Sequence, residues 1–389
     1  MQWLDSADQI KNDLEPDDYP FLSKGFLTAL EQSNSINGNT GWNGHYLIDS
    51  SDDAASDFQS IANKSEKQEY DLLIPAFIKH HSYGEYVFDW AWAEAYQKHG
   101  LNYYPKLLIA APFTPSEGPR LFGKKPIDGK KISQKIQAHC IEKNLSSAHI
   151  LLCNDEERLL LQDHNWHLRS SVQFHWYNYN YTSFEDFLSR FKSRKRKAVK
   201  KERALITANN IHISRIEGKD ITPQQLEFFY YCYQTTYAKR RSQGYLNLES
   251  FKNMQENMAD QMFLVIAHQN NEPVACALYF KDDRNLYGRY WGCAKEIDGL
   301  HFEVCYYQGI EYCIENNIQH FDPGTQGEHK ISRGFEPIFR YSLHYLQHEG
   351  FHEAVGDFVK EERKSLEIYQ KDCYQHLPFN QEHLPPLKN

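Results

Sequence analysis

Hydrophobic positions along the chain follow two alternating rhythms: short apolar runs of strand character, and stretches with an apolar residue every three or four positions. The alternation is densest between Leu286 and Pro337. Leu286 to Ala294 predicts a strand, and Leu300, Val304, Tyr307, Ile310 and Ile314 predict an amphipathic helix that ends at Asn316 and Asn317. Ile318 to Phe321 predicts a second strand, which runs into the polar loop DPGTQGEHK, Asp322 to Lys330. Strand, helix, strand and polar loop is how a mixed sheet builds a site at its carboxyl edge.

The same order is predicted upstream. A helix over Phe21 to Gln32, entered through Asp17 and Asp18, leads to a strand around His45 to Ile48. Asp71 to Lys79 (DLLIPAFIK) reads as one buried strand, Val87 to Tyr96 as a helix and Tyr103 to Ala111 as the next strand. A helix over Lys131 to Asn144, a strand over His149 to Cys153, a short helix over Glu156 to His164 and a strand over Val172 to Tyr179 follow. Beyond them come a helix over Gln224 to Tyr237, strands over Met262 to His268 and Val274 to Lys281, and a charged helix over Phe358 to Gln375. The repetition predicts two copies of one mixed α/β unit, in domains of 1–178 and 179–389.

Composition narrows the classes. The net charge of -9 and pI of about 6.1 argue against DNA binding and require a local basic patch for any polyanionic partner. Eight cysteines without a CxxC pair, mostly inside apolar runs, predict a reducing compartment. The acidic start lacks a secretion signal and no run approaches the length of a membrane span, which predicts a cytoplasmic protein. One stretch opposes the overall charge. In LSRFKSRKRKAVKKER, Arg190, Arg194, Lys197 and Lys201 share one helical stripe and Lys192, Arg196, Lys200 and Arg203 another. Such like-charge neighbours destabilise a helix unless nearby acids or an anionic ligand compensate them. Arg194, Arg196 and Lys197 are therefore candidate phosphate-binding residues.

The runs HSYGEYVFDWAWAEAY, NYYPKLLIAAPFTPSEGPRL, GRYWGC, LHFEVCYYQGIEYCIE and PGTQGEHKISRGFEP resemble a bacterial family described as peptidoglycan biosynthesis or recognition proteins, in the GNAT-like acyl-CoA N-acyltransferase superfamily. More remotely, the basic helix opening the second half, and Asp322 and Gly324 followed by Lys330, Gly334 and Phe335, resemble the Fem-type peptidyltransferases. The resemblance implies an α/β (α+β) fold of two GNAT-like domains, each a mixed sheet flanked by helices. It also implies N-acyl or aminoacyl transfer onto an amine of a cell-wall precursor or related metabolite, with acyl-CoA or aminoacyl-tRNA as donor and a tRNA acceptor end as a possible partner. The alternative is a non-catalytic module that binds a peptidoglycan precursor or another phosphorylated ligand.

Acyl transfer to an amine needs a base for the amine proton and groups that hold the acyl carrier. Candidates crowd behind two strands. Asp322, Glu328 and His329 are the catalytic candidates, with Gln326, Lys330 and Arg333 beside them for substrate binding. His80, His81, Tyr83, Glu85 and Asp89 occupy the corresponding place in the first half and, with Arg120 and Arg289, are further substrate-binding candidates. Arg289, Gly292 and Ala294 also match the R-x-x-G-x-A string with which a GNAT enzyme cradles pyrophosphate, although Gly292 falls at a strand end. A metal is not expected: His344, His348 and His352 have helical spacing, but the HExxH glutamate is missing.

Overall fold

The computed structural model describes residues 1–10, 19–49, 71–123, 126–239, 241–325 and 327–388. In chain order the strands of the first part are β1 (Gln2–Leu4), β2 (Trp42–Gly44), β3 (Tyr46–Asp49), β4 (Leu72–Ile74), β5 (Phe77–Lys79), β6 (Lys106–Ile109), β7 (Phe122–Gly123) and β8 (Ser147–Cys153). Its helices are α1 (Lys24–Gln32), α2 (Trp90–Lys98), α3 (Gly129–Glu142) and α4 (Asp155–Leu161). Next come β9 (His167–Tyr177), α5 (Phe184–Ser189), α6 (Ser193–Ala208), β10 (Ile211–Glu217), α7 (Pro223–Lys239) and α8 (Leu248–Met258). The chain continues through β11 (Met262–Gln269), β12 (Glu272–Lys281), β13 (Asn285–Cys293), α9 (Leu300–Phe302), α10 (Gln308–Glu315), β14 (His320–Asp322), β15 (Glu336–Leu346) and α11 (Glu349–Gln375).

Two compact units result, one of Met1–Arg169 with Tyr341–Lys360, the other of Ser170–Arg340 with Glu361–Asn389. The cut falls ahead of residue 178, and a late segment returns to the first unit. In that unit β2, β5, β6 and β8 form one sheet, extended by the end of β15, in which only β6 and β8 run parallel; β1, β3, β4 and β7 form a second sheet. In the second unit the order is β10-β11-β12-β13-β14-β9, antiparallel except for β13 with β14. Each unit has its own apolar core, built around Leu107, Ile136, Ile150 and Leu343 in the first and Phe187, Tyr279, Ile310 and Phe321 in the second.

Several expectations needed correction. DLLIPAFIK is two strands in two sheets, because Pro75 has no N–H for the ladder and the chain changes partner there, with His45 N donating to Ala76 O. Helix α1 starts at Lys24, where Ser23 accepts from Phe26 N; the expected entry at Asp17 and Asp18 lies outside the described residues. β10, α8 and β15 were not expected at all. β15 is buried along its whole length and so shows no polar alternation, and it places His344 on a strand. The idea of a helical histidine face at His344, His348 and His352 is overturned.

Candidate functional site

The pairing of β13 with β14 organises the second unit's site. It covers only Asn285–His320, Leu286–Phe321 and Tyr287–Asp322; β14 then ends, whereas β13 continues to Cys293 paired with β12 on its other side. Two parallel strands therefore part, leaving the β13 backbone from Gly288 onward beside the loop that follows Asp322. Glycines meet where the pairing ends, and the loop still packs against β13 there: a Cβ on Gly324 would lie 3.6 Å from Gly288 O, and one on Gly288 3.5 Å from the Pro323 Cα. Gly324 adopts a φ of 87°, which favours glycine.

The loop's charged residues divide by burial. Lys330 is 1% exposed, and its Nζ donates to Gly324 O at 2.6 Å and Pro323 O at 3.4 Å. Burial draws its amine down to about 7, only partly opposed by Asp322. His329, on the 3-10 turn Glu328–Arg333, is exposed, and its Nε2 pairs with Tyr306 OH at 2.8 Å. Burial of part of the ring, with Lys330 and Arg333 nearby, lowers its pKa and so favours the neutral imidazole. Glu328, also exposed, accepts from Tyr369 OH at 2.8 Å. Arg333 lies over the Phe302 ring at 3.4 Å and donates to Glu202 and to His329 O. Gln326 lies outside the described residues.

Behind the loop runs a buried polar chain. Arg289 Nη2 donates to Asp322 Oδ2 at 2.7 Å, Gly324 N donates to Asp322 Oδ1 at 2.9 Å, and His175 Nε2 lies 3.7 Å from that oxygen. Burial pushes the Asp322 carboxyl up, but Arg289 and His175 more than offset this and hold it well below the carboxylate range. His175 pairs with His320 at 2.7 Å, and His320 with Asn285 at 2.8 Å. Held in this way, Asp322 is a poor proton acceptor. Arg289 is committed to it, and a Cβ on Gly292 would meet Cys232 O at 1.9 Å. The backbone of the R-x-x-G-x-A string is thus packed against α7.

The first unit carries a second cluster. Lys106, fully buried, donates to Ser82 and Glu85 at 2.8 Å and to Asp89 at 2.5 Å. Tyr103 OH donates to Asp89 at 2.6 Å and lies 3.1 Å from His149 Nε2, while His149 Nδ1 pairs with His344 at 2.8 Å. Burial raises Glu85 to about 7. Asp89 is raised by burial, but Lys106 and His149 pull it well below its ordinary value. Lys79 stands directly across the strand pair from Lys106, over the Trp42 ring at 4.0 Å, and burial lowers it to about 7. His80 is exposed beside Asn43 at 3.3 Å, His81 is half-buried, and Tyr83 is 56% exposed. Arg120 is fully buried, and its guanidinium donates to the carbonyls of Leu151, Ser116 and Pro119. It holds its own loop and is not free to meet a ligand.

A family model described as peptidoglycan biosynthesis/recognition, FemAB-like, matches residues 3–381. The chain belongs to this family. Three solved structures share the fold of the FemAB-like protein. A crystal structure of FemX is 9% identical, covering 92% of this chain and 100% of that one at a TM-score of 0.51. The C-terminal domain of a putative lysylphosphatidylglycerol synthetase from Agrobacterium fabrum is 8% identical, covering 91% and 95% at 0.52. L-PGS from Bacillus licheniformis is 10% identical, covering 90% and 99% at 0.50. A search of curated protein sequences returns no match. The fold is thus mixed α/β, of the kind these three structures share.

Helix α6 of the FemAB-like protein is charged in two ways. Toward its C-terminal end Lys200 pairs with Glu185, Arg203 with Glu303 and Glu311, and Glu202 accepts Arg333. Arg194 and Lys197 are exposed and have no ion pair among the described residues, and Arg196 reaches only Ser189 O. Among the described residues there is no group of three metal-ligating side chains, and no helix is long and apolar enough to cross a membrane. Sequence reasoning missed Lys79, Lys106, Tyr103 and the pairs His149–His344 and His175–His320. Two lysines embedded in apolar strand runs, IPAFIK and YYPKLLIAA, were the available signal.

Proposed function

We propose that this protein is a cytoplasmic aminoacyl- or N-acyltransferase that acts on an amine of a cell-wall precursor, with the reaction in the opening between β13 and β14. The end of the β13–β14 pairing after Tyr287 and Asp322 supports this reading, since Gly288 and Gly324 lie side by side at the carboxyl end of β14 and His329 follows five residues further along the same loop. His329 is the base. Its lowered pKa favours the neutral imidazole that a base requires. The acceptor amine attacks the acyl carbonyl, the C–N bond forms as the bond to the carrier oxygen or sulfur breaks, and the amine proton passes through His329 to that leaving atom. Lys330 is a positioning residue that ties Pro323 and Gly324 into the shape the loop needs. Asp322, locked to Arg289, holds the loop's first turn.

The donor we favour is an aminoacyl-tRNA. With Gly292 packed against Cys232 O and Arg289 engaged by Asp322, the string that would cradle coenzyme A pyrophosphate has little free backbone, while α6 offers a nucleic-acid phosphate Arg194 and Lys197, exposed and without an ion pair among the described residues. The test is turnover of candidate donors and a muropeptide acceptor by His329→Ala and Glu328→Gln. Losing a general base costs about 100- to 10,000-fold in rate, so His329→Ala should fall in that range and Glu328→Gln should not. If both variants fold and turn over normally, the loop is removed from the chemistry. A well-folded protein that binds the precursor but turns over no donor would instead be the non-catalytic module.

A further inference from the structure

The first unit places three large aromatic side chains in solvent within eight residues: Tyr83 is 56% exposed, Phe88 55% and Trp90 41%. Scattered exposed aromatics are ordinary, but here they touch. The Tyr83 and Trp90 rings lie 5.0 Å apart at 58°, and the His81 ring lies 5.1 Å from that of Tyr83. A contiguous aromatic surface on a monomer's loop marks a recognition site.

The loop beneath is built to hold them still. The Tyr83 carbonyl accepts from Trp42 Nε1 at 3.0 Å and from Lys79 at 3.4 Å, and Gly84, at a φ of 81°, leaves no room for a Cβ against Phe113. Ser82, Glu85 and Asp89 all turn inward to Lys106. Alternate residues are thus anchored below while Tyr83 and Trp90 are aimed outward, so little ordering entropy remains to be lost on binding.

We propose that Tyr83 and Trp90, flanked by His81, form a platform for the apolar face of an uncharged pyranose ring, as in the N-acetylated amino sugars of a peptidoglycan strand. This deepens the proposed function, on which it rests for the nature of the acceptor. Charge decides between a sugar and a lipid surface. From His80 to Gln97 there is no Lys or Arg and Lys79 is fully buried, so the cation that the described residues set beside this stretch is Arg169, which donates to the Phe88 carbonyl and lies over the Trp92 ring; one guanidinium is far short of the basic cluster that anionic headgroups select. Near it in the chain are groups that both donate and accept hydrogen bonds, the Tyr83 hydroxyl and the His80–Asn43 pair, suited to sugar hydroxyls and amides.

Calorimetric titration of the full chain with tetra-N-acetylchitotetraose tests this. Saturable binding is expected, weakened about 3- to 10-fold by Tyr83→Ala and again by Trp90→Ala, as for loss of one stacked ring each. Ile141→Ala, which trims another exposed apolar residue of the same unit, should bind as the wild type does. No saturable binding by the wild type, binding that both aromatic variants retain, or retention on phosphatidylglycerol vesicles through the same two residues would each overturn the platform. Sugar binding through Tyr83 and Trp90 in a protein without turnover supports the platform and sinks only the transfer reaction. Turnover that depends on His329 in a protein that ignores the sugar sinks only the platform.

Discussion

Replacing Lys330 by Met probes the second unit's loop through its stability. The amine falls from 10.5 to about 7 because burial removes its hydration. At about 1.4 kcal/mol per pH unit, the charged form is disfavoured in the fold by about 5 kcal/mol at most, before the hydrogen bonds to Gly324 O and Pro323 O are counted. The direction follows from proton counting. Between about pH 7 and 10.5 the unfolded chain holds a proton that the folded chain has released, so wild-type stability rises with pH across that window at up to about 1.4 kcal/mol per unit. Lys330→Met lacks this contribution. Its stability relative to wild type should be most favourable at pH 6 and decline steadily toward pH 10, whatever fixed amount the missing hydrogen bonds subtract. Urea unfolding of both proteins at constant ionic strength, from pH 6 to 10, measures the difference, in which the similar titration of Lys79 cancels. A difference that stays flat with pH, or that grows toward pH 10, would refute a buried, easily deprotonated Lys330.

Lys106→Met should destabilise the first unit by about 3 to 5 kcal/mol, because Glu85 and Asp89 would be left buried without their cation; thermal unfolding reads this as a large loss in Tm. Gly292→Ala should distort β13, since the new methyl would collide with the Cys232 carbonyl at 1.9 Å, and should lower stability by about 1 to 3 kcal/mol, checked by denaturant unfolding. Replacing Arg194, Arg196 and Lys197 together by Ala should leave the fold intact and weaken aminoacyl-tRNA binding. The slope of log affinity against log salt should also become shallower, by roughly one for each phosphate the helix no longer neutralises. A fall in stability with an unchanged salt slope would make the helix structural.

The sequence alone determined the mixed α/β class, many of the elements of both halves, and the polar loop after Ile318 to Phe321. Those features are local: they depend on apolar periodicity and on turn residues such as Asp298 and Gly299. The basic helix was equally legible, since its charge is written in consecutive residues. What escaped was decided by pairing between distant segments. β15 is buried along its length and carries no alternation to read. Lys79 and Lys106 become neighbours only through the β5–β6 register, and His149 meets His344 across 195 residues. Tertiary placement also sorted the candidates. It locked Asp322 to Arg289, turned Arg120 and Lys330 onto backbone carbonyls, and left His329 exposed beside Tyr306, because the burial and partners that set each group's charge belong to the folded sheet.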